Sequence, residues 1–477
     1  MHTNRRVFIG ALTAAAALSA ATRSPAQTTY KGAERTRQDV NTLPADDPVL
    51  TQYADAIAQM RQLPASNPIS WEAQARIHLN FCPHGNWFFL PWHRAYLSQF
   101  EDIIRDLSGN ADWAMPYWNW TRNPQVPAPF WQAGSPLMHP RNVGPNSNMP
   151  SEFVGAPVLE RIMGKPNFQS FAGFKSTAPR GSGGGSEQLE SAPHNAVHRE
   201  IGRDMASFLS PLDPIFWLHH CNVDRIWASW NNAGNANSPD TDLTEFLFAS
   251  TPGNLQFVKP DGAPRPIVVK DVYATTPMGY GYDRLETVPE TPFAAAALSL
   301  SMAARNTVER RQDLDRTVSP GGILDTTLAL DTALITALAN TGRIKTMSNV
   351  EMADLAPPTQ ISTGTLTVRG LRAPAGPDTG FRVFLNCDYL SLETPINDPH
   401  FVGSAAFFIN GVPSETMEHA HGADFVFDIT DTLDRLRRAG TPVNGQLRPQ
   451  VIALTKNNEP VELAIDGAFE ITVETVG

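Results

Sequence analysis

Apolar residues recur at helical spacing in several stretches of the first half of the chain. Across residues 50–60 the period is weak but predicts one helix, and residues 71–78 read as the end of another. The clearer case is 92–107, where Tyr96, Phe100, Ile103, Ile104 and Leu107 share one face. Pro91 stands just ahead of it, where a missing N–H costs little, and Gly109-Asn110 closes it. A further helix is predicted from Asp213 through Phe216, His220, Val223, Ile226, Trp227 and Trp230, with Asp213 as cap and Pro214 at the first helical position. Between these stretches, residues 122–180 are rich in Pro, Gly, Asn and Ser without a sustained period, which predicts long loops. The glycine run at 181–185 lacks the Lys-Ser/Thr ending of a phosphate-binding loop.

The pattern changes in the second half. Residues 290–345 alternate alanine-rich and charged patches, with Arg310-Arg311 and a Pro-Gly-Gly turn at 320–322. This predicts a linker with one or two helices and a candidate processing region. Residues 346–477 carry strand-like runs at 364–368, 381–385, 405–409, 425–429, 451–454 and 469–473, separated by turn residues. They predict a small β-sandwich or barrel. The start of the chain has its own pattern: Arg5-Arg6, a short alanine-rich apolar run, then Ser24-Pro25-Ala26. A positive start, a short apolar core and a small-residue exit predict a twin-arginine-type export signal over 1–26. The expected organisation is thus a signal at 1–26, a mainly helical unit with long loops at 27–289, a linker at 290–345 and a β-rich unit at 346–477. The expected location is periplasmic or secreted.

The 477 residues are 42% hydrophobic and 18% charged, the composition of a folded chain, and no run is apolar enough for stable membrane insertion. The formal charge of -11 becomes -14 once Arg5, Arg6 and Arg23 leave with the signal, which argues against a nucleic-acid partner. Three cysteines, Cys82, Cys221 and Cys387, exclude a disulfide scaffold. The histidines change the picture most. Seven of the 12 fall in two groups: His78, His84 and His93, then His194, His198, His219 and His220. His194 and His198 are four apart and share a helix face. Sets of imidazoles with few carboxylates fit a redox-active metal pair better than a di-iron bundle or a dizinc hydrolase, which recruit Asp or Glu, so copper is expected.

The strings Phe89-Leu90-Pro91-Trp92-His93-Arg94 and Asp213-Pro214-Ile215-Phe216-Trp217-Leu218-His219-His220 carry a resemblance to the type-3 copper proteins, the tyrosinases and polyphenol oxidases. The resemblance implies two copper ions, one held by His78, His84 and His93, the other by His194, His198 and His220. His219 and Asp224 would stand behind the ligands as supports. Tyr280 and Tyr282 resemble the tyrosine pair that ends the family's catalytic unit, and Arg37 the arginine packed against it. The implied fold is a helical bundle with a β-sandwich-like C-terminal domain over the site. The implied activity is dioxygen-dependent ortho-hydroxylation of monophenols and oxidation of o-diphenols to o-quinones. A catechol oxidase acting on diphenols only is the alternative, and an oxygen carrier shares the ligands.

Other residues take roles from the same resemblance. Cys82 would join His84 in a thioether. Glu190 and Asn195 resemble the pair that holds a proton-accepting water. The gate over the metals falls on Ser207 when counted back from His220 and on Phe208 when counted forward from Met205. The C-terminal domain would insert one of Phe401, Phe407 or Phe408 as a substrate mimic, keeping the enzyme latent until a protease cuts the linker. Phenolic small molecules and dioxygen are the expected partners; the sequence leaves the oligomeric state open.

Overall fold

The computed structural model describes residues 35–287 except 166 and 181–184, and residues 305–476 except 342–360, 375–378, 409–421, 442 and 444. The expected export signal lies outside the described residues. Among them, no helix is long and apolar enough to cross a membrane.

Five helices build the first unit. In α1 (Pro48–Gln62), Asp47 caps Val49 N–H and Leu50, Tyr53, Ala56, Ile57 and Met60 form the buried stripe. In α2 (Trp71–Phe81), Ser70 caps Ala73 N–H, and the helix stops at Cys82 because Pro83 cannot continue it. The long helix α3 (Phe89–Ser108) begins three residues earlier than its apolar period suggested. Pro91 then lies inside the first turn, where no intrahelical N–H is required. Gly109, at φ 66°, ends it in the left-handed conformation. After the loops come α4 (Asn195–Ile201) and α5 (Ile215–Asn232). Asp213 still caps α5, accepting from Ile215 N at 3.1 Å, and is itself held by Arg141. The stretch 122–180 is mostly irregular, as expected, but includes short helices at Ser151–Val154, Ala156–Met163 and Phe168–Ala172.

A buried charge cluster locks α3 to α5. Arg37 donates to both carboxylate oxygens of Glu101 on α3, at 3.0 and 2.7 Å, and to Asp224 on α5 at 3.0 Å. Asp224 also accepts from Arg94 on α3 and from the hydroxyls of Tyr280 and Tyr282. The Arg37 guanidinium lies 3.8 Å from the Tyr280 ring centre. The ends of the unit are joined by two short parallel strands, β1 (Arg35–Arg37) and β2 (Tyr280–Tyr282). Arg225, the next residue, turns away and binds Glu286 at 2.6 Å. Asp224, expected behind the ligands, supports the site by fixing helices.

The second unit begins earlier than expected. Strand β3 (Arg305–Val318) pairs along its whole length with the last strand, so 305–318 is part of the β unit and no linker. The sequence hid it because it is a charged edge strand, exposed nearly throughout, where only Val308, Leu314 and Val318 turn toward the core. β4 (Leu324–Asp325) and α6 (Thr332–Asn340) follow; the helix agrees with the expected one. Then come β5 (Ile361–Arg372), β6 (Thr379–Leu385), β7 (Phe401–Ala406), β8 (Ala423–Asp428), α7 (Thr430–Arg438), β9 (Pro449–Thr455) and β10 (Leu463–Val476). They form two four-stranded antiparallel sheets, ordered β8-β5-β10-β3 and β7-β6-β9-β4. Leu366, Val368, Phe381, Val383, Phe425, Val451 and Ile471 fill the space between them.

The two units share a polar interface. Glu152 accepts from Arg382 and Ser404, and Lys165 pairs with Asp428 at 3.5 Å. Ser186 forms a one-residue strand pairing with Phe425, exchanging hydrogen bonds with Asp424 O and Val426 N–H. Any side chain at Gly380 would collide with the Arg199 guanidinium. Burial pushes Glu187 up to about 8 against the opposing charge of Lys165, so this interface carboxyl is neutral near pH 7.

Burial alone would raise Asp224, but Arg94, Arg37 and the Tyr282 hydroxyl outweigh it and hold the carboxyl below the usual range. Asp224 therefore contributes stability above the ordinary carboxylate pKa and loses it as pH falls through its depressed folded value. Asp224→Asn is expected to destabilise the helical unit by about 3–5 kcal/mol at pH 7, leaving Arg37 and Arg94 underpaired. Urea unfolding at pH 7 and below pH 4 checks this: the deficit at pH 7 narrows in acid.

Candidate metal centre

Local structure aims each histidine inward. His78 ends α2, and its Nδ1 meets the carbonyl of Phe208 at 2.8 Å. His93 lies in the second turn of α3, with Nδ1 on Phe89 O four residues back, 2.8 Å away. His198 on α4 bonds Met205 O at 2.6 Å. His194 bonds the side-chain oxygen of Asn195 at 2.8 Å. It ends a single π-turn, Glu190–His194, widened around Pro193, which has no N–H to give. His84 follows Pro83 on the irregular passage between α2 and α3, its Nδ1 3.5 Å from Cys82 Sγ. Carbonyl acceptors at Nδ1 place the proton there and leave Nε2 as a bare lone pair.

Those lone pairs converge. The Nε2 atoms of His78, His84, His93 and His194 are buried without a hydrogen-bond partner. Nε2 of His198 and Nε2 of His220 lie 3.4 Å apart. Two nitrogens bound tetrahedrally to one ion at ~2.0–2.1 Å would be separated by about 3.4 Å. Ring nitrogens within each group all fall within 4.8 Å of one another: His78, His84 and His93 in one, His194, His198, His219 and His220 in the other. The His93 and His220 rings, one from each group, stack at 4.4 Å. Burial pushes every one of these imidazoles down, His93 to about 3 and His198 to about 4, so all are neutral at pH 7. Neutral nitrogen donors without carboxylates, buried and unpartnered, fit a pair of copper ions.

His219 differs from expectation. It belongs to the second group by distance, and both its ring nitrogens are buried without a hydrogen-bond partner. Its ring stacks on His194 at 5.4 Å.

The other predicted residues separate clearly. Phe208 stands 5.2 Å from His84 and 5.9 Å from His78, ring centre to ring centre. Ser207 spends its hydroxyl on a local turn with Asp204 O and Leu209 N–H. Of the three phenylalanines, Phe401 packs on Phe384, and Phe407 on Phe381 and Phe425 inside the β unit. Phe408 reaches the histidines, 4.8 Å from both His84 and His198 and 5.1 Å from Phe208. The run expected as a strand at 405–409 lies earlier, and β7 ends at Ala406, which frees Phe408 to cross. Glu190 is fully buried and accepts from Gly85 N–H through both oxygens, at 2.8 and 3.0 Å. Burial pushes it up to about 8, against the lowering effect of the Gly85 bond and the Ser186 side chain. Asn195 Nδ2 donates to Ala406 O of the β unit at 2.9 Å. Sequence reasoning did not find the carbonyls of Phe89, Met205, Phe208 and Ala406, since any residue supplies a carbonyl.

The family model for the common central domain of tyrosinase matches residues 52–158 and 139–233. The chain is 28% identical to tyrosinase HcTyr1 of Hahella sp. (strain CCB-MM4), over 90% of this chain and 98% of that one. A chloroplastic polyphenol oxidase of Vitis vinifera is 28% identical over 56% of this chain, a match spanning about half (51%) of the plant protein. The latent apple tyrosinase structure superposes with a TM-score of 0.67 at 20% identity, over 93% of this chain and 97% of that one, which shows a shared fold. Two histidine groups whose donors fit copper, with the central-domain match, identify residues 52–233 as a tyrosinase-type central domain with copper-dependent oxidoreductase chemistry.

Proposed function

We propose that this protein is a tyrosinase, hydroxylating monophenols ortho to their oxygen and oxidising o-diphenols to o-quinones with dioxygen, held latent by its C-terminal domain. The observation that carries the reading is Phe408, an unsubstituted phenol ring in all but the oxygen, lying against histidines of both groups. In this reading His78, His84 and His93 hold one copper, and His194, His198 and His220 the other, with His219 behind them. The copper pair, when bound, supplies dioxygen activation and the two-electron oxidation of the phenol. The protein's own groups do the rest. Phe208 walls the ring, and the Nδ1 contacts fix the ligand rings. Glu190 and Asn195 flank His84 and His194 where a proton-accepting water would serve the monophenol step. Cys82 Sγ lies 3.5 Å from His84 Nδ1, close enough for the thioether, a C–S bond formed as the S–H and one ring C–H are broken with dioxygen as the two-electron oxidant, which would fix that ring covalently.

The catechol-oxidase reading has its own support. Glu190 is pushed up to about 8 and so is protonated near pH 7, where it cannot take a proton from a phenol. Phe208 also narrows the approach. Activation by a protease within 290–345 fits poorly at Arg310-Arg311, which lie inside β3. The Arg5-Arg6 start and the Ser24-Pro25-Ala26 exit support export to the periplasm or beyond, with Gln27 as the mature N-terminus; sequencing that terminus tests it.

Three measurements test the function. Elemental analysis should find two copper ions per chain, about one in His93→Ala or His198→Ala, and still two in His219→Ala; loss of copper in the last variant would make His219 a ligand. Full-length Phe408→Ala should take up oxygen with 4-methylcatechol at least about tenfold faster than the parent, and with tyrosine as well; uptake on the catechol alone decides for a catechol oxidase, and no gain on either rejects the latency. Peptide mass spectrometry should find the Cys82–His84 peptide about two hydrogens light after copper loading, and an alkylatable Cys82 thiol would remove the cross-link.

A further inference from the structure

The β unit reaches the passage between α2 and α3 at a second place, apart from Phe408. Gly85, the residue after His84, turns at φ 72° and is gripped at both ends. Its N–H donates to both oxygens of Glu190, at 2.8 and 3.0 Å, and its carbonyl accepts from Gly185 N–H at 2.8 Å. The next residue, Ser186, belongs to two structures at once. Its backbone pairs with the edge of β8, donating to Asp424 O at 3.0 Å and accepting from Val426 N–H at 3.1 Å. Its hydroxyl donates to the Glu190 carboxyl, and a Cβ placed on Gly85 would stand 3.7 Å from that hydroxyl oxygen. On the β unit's side, Val426 packs so closely that a Cβ on Gly185 would meet its Cγ2 at 3.0 Å. Asp424 is fixed within the β unit, accepting from Arg369 at 2.9 Å and from Gly370 N–H at 2.8 Å. Contacts therefore run without a gap from β8 through Ser186 to Glu190, and from there to Gly85 beside His84.

We propose that Ser186 is a positioning residue through which the docked β unit sets the place of Glu190, so that the domain that covers the histidines with Phe408 also builds part of the site. The proposal rests on the reading that Glu190 serves the proton step of monophenol hydroxylation. Glu190 is buried, and the Gly85 N–H and the Ser186 hydroxyl both favour its ionised form against the cost of burial. The ionised form is the one that takes a proton. One of these donors sits on the passage that carries His84. The other sits on a segment whose far side is held by β8. Undocking β8 takes both backbone hydrogen bonds from Ser186 and returns its hydroxyl to the conformational freedom of a loop residue. Two ways of opening the site then differ: deleting the Phe408 ring leaves Glu190 held, and loosening β8 releases it.

Exchange and turnover test this separately, both in the full-length chain. In the metal-free protein, hydrogen exchange of the Gly85 amide reads how firmly Glu190 holds it, taken relative to the Tyr53 amide in α1, which a general loss of stability would move equally. Ser186→Ala should speed that exchange about tenfold, the scale of one hydrogen bond to a charged group, and Ser186→Thr should restore it. Val426→Pro removes the N–H facing Ser186 on an edge strand, where proline is tolerated, and should speed the exchange as Ser186→Ala does. Val426→Ala only thins the packing on Gly185; it should act in the same direction, and it decides the matter if the proline variant does not fold. Unchanged Gly85 exchange in Ser186→Ala overturns the positioning role, and unchanged exchange in the folded Val426 variants overturns the coupling to the β unit. In copper-loaded Phe408→Ala, adding Ser186→Ala or Val426→Pro should lower the ratio of kcat for tyrosine to kcat for 4-methylcatechol about tenfold, with recovery in Ser186→Thr. An unchanged ratio overturns the role of Ser186 in the reaction. If the copper-loaded protein hydroxylates no monophenol, the tyrosinase reading falls while the Gly85 exchange still decides the coupling.

Discussion

Seven imidazoles buried out of water set the terms for this fold. Desolvation forbids them charge, and a neutral imidazole has one donor and one acceptor nitrogen to satisfy. Four of the seven settle the donor on an oxygen acceptor: the carbonyls of Phe89, Met205 and Phe208 and the side chain of Asn195. Their acceptor nitrogens, and those of His84 and His220, are left facing one another across the centre, an arrangement suited to metal ions. The arrangement holds because four helices and the passage between α2 and α3 reach the centre at fixed angles. The Arg37–Glu101–Asp224–Arg94 cluster clamps α3 to α5 about one helical turn from His220. Two cations and two anions there sum to zero, which is the condition for burying all four.

What the sequence made legible was whatever has a fixed spacing. The histidine groups were readable because imidazoles are rare and their intervals, His-x3-His from the π-turn into α4 and His93 and His220 on amphipathic helices, are set by helix geometry. The helices themselves announced their apolar faces, and the strands of the sandwich core their alternation. Three things were not readable. β3 lies at an exposed edge, so burial places no demand on most of its side chains and it resembles a charged linker. The choice between Ser207 and Phe208 depends on a turn in which the serine hydroxyl binds its own backbone, a competition invisible to counting. The choice among Phe401, Phe407 and Phe408 depends on the last residue of β7: adjacent residues on a strand face opposite ways, so a one-residue shift exchanges core for site.

At the histidines themselves, the described contact between the two units passes through the residues at the end of β7. Phe407 is committed to the sandwich core and Phe408 to the histidines, with Ala406 O bonded to Asn195 between them. The bond to Ala406 joins the β unit to the side chain that orients His194. Removing the β unit would expose the ring site and change the hydrogen bonding behind one ligand together. The ion pairs of Glu152 and Lys165 lie farther out and hold orientation.

In the latent reading proposed above, the covalent attachment of Phe408 gives it a property that no dissolved inhibitor has. Its ring would compete with an incoming phenol as part of the same molecule, so the competition would be set by an effective concentration, in the mM range for a short tether, and not by how much protein is present. Dilution cannot relieve it and crowding cannot deepen it. In that reading a substrate would meet this competitor as an apparent rise in its Michaelis constant, larger the more tightly β7 is held against Asn195. Breaking the chain turns the same ring into a ligand at the concentration of the protein itself, a fall of several orders of magnitude with no change in any contact it makes.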